Sequence, residues 1–457
     1  MATETVPLEL GTEKIGKLLV KYAIPAIIAM TATSLYHIVD SIFIGHGVGP
    51  YAISGLAITF PFMNLAAAFG TLVGVGACTL ISMLLGQKNY EVANQVLGNV
   101  VSLSFLIGGL FSLVSLLFLD QILYFFGASE NTIEYARDYM VVILIGNVIS
   151  HTYFGLNAVL RSSGKPKEAM VTTIMTVVLN IAFAPILIFT LDLGMQGAAL
   201  ATVLAQLAGL LWLIRTFLNK ESLLHFGKGI FKIQKRIAKE SLAIGLSPFL
   251  INVAACFVVL FINLQLKKYG DDMSVGAYGI VNRVAFLFIM VMFGLTQGMQ
   301  PIAGYNYGAK LYGRVLEVLK KTAIIATIVG TIGFVMGELF PRQIVALFTD
   351  DAILIKNSIE GLKITLLAFP LVGFQIVISN LFQSLGMVKR AVFLSLTRQL
   401  IFFIPCLVLL PLFWGIDGVW ISIPVSDTLA ALLAAIMLVS FLKKFKDNTK
   451  IADNHGG

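Results

Sequence analysis

The chain has 457 residues, 58% of them apolar and 12% charged, with a mean hydropathy of +0.91 and a formal net charge of +8. Soluble domains carry about a quarter charged residues, so this composition excludes a water-exposed globular surface and defines an integral membrane protein. The positive excess sits in short loops between apolar runs, with no binding module beside it, which argues against nucleic acid as a partner.

In chain order, the first segment, MATETVPLELGTEKIGK, is polar and mildly acidic and lacks the basic start of a cleavable signal, so the first apolar run is expected to be retained as a helix. Apolar windows of about 20 residues predict twelve spans: 18–44, 53–84, 95–118, 136–160, 169–190 and 197–218, then 240–265, 276–302, 320–340, 360–383, 391–413 and 418–441. Four segments follow from this pattern: an N-terminal six-helix lobe over 1–218, a linker over 219–239, a C-terminal six-helix lobe over 240–445 and a polar tail over 446–457. The tail is expected to be disordered. Within the linker, IFKIQKRIAKE has helical spacing with apolar residues on one face and cations on the other, so it serves as a tether or lies on the inner leaflet. Lys and Arg concentrate in alternate loops, densest from Arg215 to Lys239, and again in the tail. By the positive-inside rule those loops and both termini are cytoplasmic, in a multi-pass protein of the plasma membrane.

The two halves repeat each other. Gly86 and Gly308, Gly164 and Gly386, and Phe126 and Phe348 are pairs at one constant spacing, and Gly197 and Gly418 fall a single position short of it. A duplicated apolar bundle is the arrangement in which transporters build a site between repeats, so transport is the leading function.

A charge in the middle of a span costs about 2.5–3.5 kcal/mol on insertion scales, and the few that occur are site candidates. They are Asp40, Arg283, Arg398 and Asp427. The repeat supplies an internal comparison: Asp40, Tyr139, Asn157, Asn180 and Thr202 answer approximately Asn263, Gly361, Ser379, Phe402 and Ile423. The polar set is therefore concentrated in the first half. An oxygen-rich pocket of this kind suits a proton on a desolvated Asp40 or a Na+ ion held by Asp40, Asn180 and Thr202. Arg283, Arg398 and Asp427, whose counterparts are about Pro61, Thr176 and Gln206, form a second set with a gating, substrate-binding or architectural role. Arg398 and Asp427 lie on consecutive helices and can pair. His37, three residues before Asp40 on the same side of its helix, modulates that acid or simply packs; His46, His151, His225 and His455 fall at span ends or in loops.

No G-x-x-x-x-G-K-[ST] loop, H-E-x-x-H or G-x-S-x-G occurs, nor a cluster of acid, base or metal ligands, so an enzyme is not expected. The energy source is expected to be an ion gradient, with no cofactor.

The segments YGIVNRVAFLFIMVMFGLTQGMQPIAGYNYGA, Tyr278 to Ala309, and LTRQLIFFIPCLVLLPLFWGIDGVWISIPVSD, Leu396 to Asp427, closely resemble the multidrug and toxic compound extrusion (MATE) family, in its MepA-like branch. The likeness runs from the KYAIPAII opening through YHIVDSIFIG and over all twelve spans. It implies two homologous six-helix lobes in a V around a central cavity, a monomer, and export of small amphiphilic, often cationic compounds in exchange for H+ or Na+. The family's cation site carries over onto Asp40, Tyr139, Asn157, Asn180 and Thr202. Many members have a second acid in a motif like LNIxxDP, where this chain reads LNIAFAP with Ala184. With one carboxylate left, coupling to H+ is the simpler expectation. A flippase for a lipid-linked saccharide, or an exporter of an unknown endogenous metabolite, is the alternative.

Overall fold

A computed structural model describes residues 9–227 and 229–454, apart from the side chains of residues 37, 38, 50, 260, 272 and 444–454. In a bilayer every backbone amide and carbonyl must be satisfied within the chain, and long apolar runs such as these meet that demand as helices. The spans are α1 (Ile15–Gly47), α2 (Pro50–Gly86), α3 (Tyr90–Leu117), α4 (Ile133–Ser162), α5 (Pro166–Pro185) and α6 (Gly194–Leu218). In the second half they are α7 (Lys235–Tyr269), α8 (Asp272–Gly308), α9 (Tyr312–Leu339), the bent α10 (Ala352–Leu366 and Phe369–Ser384), α11 (from Val388) and α12 (to Asn454).

Ten helices of the described residues are long and apolar enough to cross a membrane on their own, the last of them a 56-residue run over Val388–Lys443. Gly415, at φ 55° and ψ −132°, breaks that run into α11 and α12, a backbone conformation that a side chain would strain. Counting α10 as one span bent by 50°, ahead of Pro370, gives the twelve spans that hydropathy predicts. Prolines mark the other irregularities: Pro185 opens a π-helical turn over Ile186–Thr190, and Pro405 follows another over Thr397–Phe403. A ring that removes an N–H and clashes with the preceding turn leaves wider spacing as the easiest way to continue.

The duplication is written into the backbone. Lys88 and Lys310, a pair at the repeat spacing, both have φ 60°, and both turn the chain between the second and third helices of their halves. Gly164 and Gly386, at the same spacing, have φ 99° and 68°, and Gly194 and Gly415, one position closer together, have φ 51° and 55°.

Two compact units result, and neither is a plain half of the chain. One contains Ile28–Val253 together with the short segment up to Glu13; the other contains Lys14–Ile27 and the chain from Ala254 onward. Helices α1 and α7 each contribute to both units. In the first unit, the start of α7 packs on α2 so closely that a Cβ at Gly76 would strike the Ser241 carbonyl, and one at Gly245 the Leu72 carbonyl. In the second, the start of α1 packs on α8, where a Cβ at Gly294 or Gly298 would meet the backbone of Ile27 or Ala23. These are the same crossing seen twice, since Gly76 and Gly298 are themselves a pair at the repeat spacing.

Only the second part of IFKIQKRIAKE is helical. The described residues of 219–234 form no helix, and helix resumes at Lys235, as the beginning of α7. The strip is strapped to α3. Asn94 donates to the Leu223 carbonyl and accepts from the His225 amide; Asn99 donates to Lys232 and accepts from Gln234; Ser102 donates to Phe231. Two side-chain amides five residues apart thus satisfy linker backbone that an in-plane helix would have satisfied internally. The tail also departs from expectation: the backbone of 446–454 continues α12 as helix, and 455–457 lie outside the described residues.

Candidate cation-coupling site

Asp40 lies seven residues before the end of α1, Tyr139 six residues into α4, Thr202 eight residues into α6, and Asn180 five residues before Pro185 in α5. Because successive helices alternate in direction, these four positions share one level of the first unit, roughly one and a half to two turns from the same end. All four side chains are buried, Asp40 to 4% exposure. Asn180 Nδ2 donates to Thr202 Oγ1 at 3.0 Å, and the phenols of Tyr139 and Tyr36 both approach that hydroxyl and stand within the field of Asp40. Asp40 Oδ1 is buried without a hydrogen-bond partner among the described residues. An unsatisfied buried carboxylate oxygen, beside two phenols that themselves meet an amide–hydroxyl pair, can take up a proton or help ligate a small cation.

Asn157 is not part of this group. It lies five helical turns beyond Tyr139 on α4, about 27 Å along the axis, and bonds the start of α5 through Ala169 O at 3.0 Å and Thr173 Oγ1 at 3.4 Å. Tyr36, by contrast, is a member absent from the sequence-selected set, although its counterpart Val258 is apolar. Its signal was the helical spacing itself, since residues four apart share a face. His37 has no described side chain, so its place beside Asp40 lies outside the described residues. His151 is not at a span end: it is buried in mid-helix, with Nε2 on the Ala66 carbonyl at 3.0 Å and its ring seated against Gly70 and Gly108.

Ala184, one turn beyond Asn180 on the same face, is fully buried in an apolar cluster with Ile44, Leu187 and Ala198. No second carboxylate occupies that place.

The matching level of the second unit is apolar. Gly361, counterpart of Tyr139, leaves the space taken by the Trp420 ring, and Ile262, Leu362 and Trp420 belong to one core cluster against which Ile423 packs. Polar contact in this unit lies deeper, where Arg398 Nε donates to Asp427 Oδ1 at 2.8 Å, with the arginine side chain 28% and the aspartate side chain 5% exposed. Arg398 projects from the π-helical turn, beside the unpartnered Thr397 Oγ1 and Gln399 Oε1. The counterparts Thr176 and Gln206 instead bond α4, to Tyr153 at 3.3 Å and to Ser150. Arg283 stays apart from the ion pair, exposed on α8.

Twelve spans, an internal duplication and a polar site confined to one unit define a polytopic membrane carrier. The MatE family profile matches residues 25–186 and 243–408, and the chain belongs to this multidrug and toxic compound extrusion family. The Multidrug export protein MepA of Staphylococcus aureus (strain NCTC 8325 / PS 47) is 30% identical over 429 residues, 93% of this chain and 94% of that protein. Its namesake in Staphylococcus haemolyticus (strain JCSC1435) is 29% identical over 429 residues, with the same coverage. Among solved structures, a dye complex of the MATE multidrug transporter DinF-BH is 37% identical, covering 96% of this chain and 98% of that one, with a TM-score of 0.88. An outward-facing multidrug resistance MATE transporter of the MOP superfamily is 25% identical, covering 98% and 99%, with a TM-score of 0.91.

Proposed function

We propose that this transporter is an H+-coupled antiporter that exports small amphiphilic, often cationic compounds, with Asp40 as the proton carrier. The observation that carries this reading is the unpartnered, buried Asp40 Oδ1 beside Tyr36 and Tyr139, whose phenols meet the Asn180–Thr202 pair. Ala184 removes the neighbouring acid that would favour a metal ion, since a Na+ site gains from each added carboxylate oxygen. In the cycle, the charged form of Asp40 draws the surrounding donors toward it. Protonation from outside cancels that attraction, α1 repacks around its Pro25, and cargo affinity falls, so that release outside precedes loss of the proton inside.

The capture of a dye by a similar transporter supports an amphiphilic cargo. A phosphate-bearing lipid-linked cargo would call on deep cations, and Arg398 is already engaged by Asp427. The distribution of Lys and Arg supports both termini in the cytoplasm, and family likeness supports a monomer in the plasma membrane.

The test is dye efflux from proteoliposomes under a pH gradient or a Na+ gradient imposed separately, for the wild type and Asp40→Asn. Efflux driven by the pH gradient and abolished in the variant, with folding intact, is the expected outcome. Efflux driven by Na+ alone would make the Asp40 group a metal site, and normal export by Asp40→Asn would overturn the mechanism.

A further inference from the structure

Where α6 ends and α5 begins, the first unit opens a cleft of about 600 Å3, far from Asp40 along the helices. Lys165, Glu168, Trp212, Arg215, Asn219 and Ser222 line it. Its geometry follows from the local chain. Gly164 at φ 99° turns the backbone so that Lys165 stands directly before α5, whose first-turn amides and positive dipole end favour an anion. The Lys165 ammonium is held by the buried Ser222 hydroxyl at 3.3 Å, which fixes one cation at the cleft wall. Arg215, in the last turn of α6, supplies a second cation and makes no ion pair among the described residues. Glu168 is the one carboxylate of the lining, so the cleft keeps a net positive charge.

Two further observations say what kind of anion would enter. Trp212 is 48% exposed, with Leu211 and Leu218 exposed beside it, which places the cleft mouth where an apolar helix face meets the end of a span. Indole rings favour the headgroup level of a membrane, so the mouth adjoins lipid headgroups. The second unit offers a comparison. Arg390, the repeat counterpart of Glu168, lies over the rings of Phe382 and Phe441 at 5.6 and 5.8 Å and is covered by them. Lys165 and Arg215 answer Met387 and Ile436, so a cationic cleft is a property of this unit's residues and not a by-product of the repeat.

We propose that this cleft binds the phosphodiester headgroup of an anionic phospholipid, the phosphate between Lys165 and Arg215, and headgroup hydroxyls on Glu168 and Asn219. A glycerol headgroup suits it, because hydroxyl donors turn the Glu168 carboxylate from a repulsive neighbour into an acceptor. Choline offers no such donor.

Native mass spectrometry of the full chain in detergent, titrated with phosphatidylglycerol or phosphatidylcholine, tests this. The wild type is expected to retain phosphatidylglycerol in preference, and Arg215→Gln and Lys165→Gln to weaken it about fivefold each. Arg215 is exposed, so its variant is expected to unfold at the wild-type temperature and isolates binding from folding. Arg236→Gln, a cation outside the cleft, serves as the control and should bind as the wild type does. Equal retention of the two lipids, or undiminished binding by Arg215→Gln, would overturn the site. A third arm adds inorganic phosphate: failure to displace the lipid at millimolar concentration supports the headgroup, whereas full displacement assigns the cleft to soluble phosphate groups and overturns the lipid reading.

Discussion

At the scale of single residues, the first unit assembles four of the five side chains that comparison of the halves and family likeness select together. Asp40, Tyr139, Asn180 and Thr202 are legible because each is polar where its repeat counterpart is apolar, a carboxamide or glycine. Asn157, whose counterpart Ser379 is itself polar, differs: it ties α4 to α5 near the opposite end, and sequence position within a 30-residue helix carries no depth unless the turns are counted. Thr202→Val removes the Asn180 bond, at about 1 kcal/mol, and is expected to alter the pH dependence of efflux. Asn157→Ala is expected to lower thermal stability by a similar amount and leave that pH profile unchanged. Measuring both profiles in proteoliposomes separates the two roles.

The Arg398–Asp427 pair makes a second residue-scale prediction. Arg398→Gln leaves a carboxylate buried without its cation, at a cost of about 3 kcal/mol. Adding Asp427→Asn removes the stranded charge, so the double variant is expected to melt closer to the wild type than either single variant. Melting curves of all four proteins check this, and additive losses would contradict it.

Among the elements, spans were readable from apolar length alone, but their breaks were not. Hydropathy places α10 as one run because its bend, at 367–368, exchanges no apolar residue for a polar one. The start of helix after the linker was hidden for a related reason. Apolar spacing in IFKIQKRIAKE satisfies a helical template, while the decisive partners, Asn94 and Asn99, lie more than a hundred residues earlier. Replacing both by Ala deletes four hydrogen bonds to linker backbone, each worth about 1 kcal/mol. Limited trypsin digestion is expected to cut the variant faster at Lys220 and Lys232, with the spans left whole; unchanged cleavage would show that the strap does not hold the strip.

For the whole molecule, the duplication was plain from constant offsets, whereas the composition of the units was not. The exchange points, Ile27 to Ile28 and Val253 to Ala254, fall inside continuous apolar helices where nothing in the residue pattern changes. Each unit completes its packing with the beginning of the other half's first helix, and the glycines at 76, 245, 294 and 298 are what admit it. A chain cut after Gly227 therefore yields two pieces that each lack part of a unit. Expressed singly, either piece is expected to be degraded or aggregated; expressed together, they should copurify as one species by size exclusion. A stable, monodisperse single piece would refute this.

The exchange also bears on ancestry. A half-length forebear folding as these units do could have finished its bundle only by borrowing an opening helix segment from a second copy. Six spans return a chain to the side it started from, so the two copies would have lain parallel and joined end to end without inversion. Freed from symmetry, one copy could keep its acid while the other filled the same place with tryptophan.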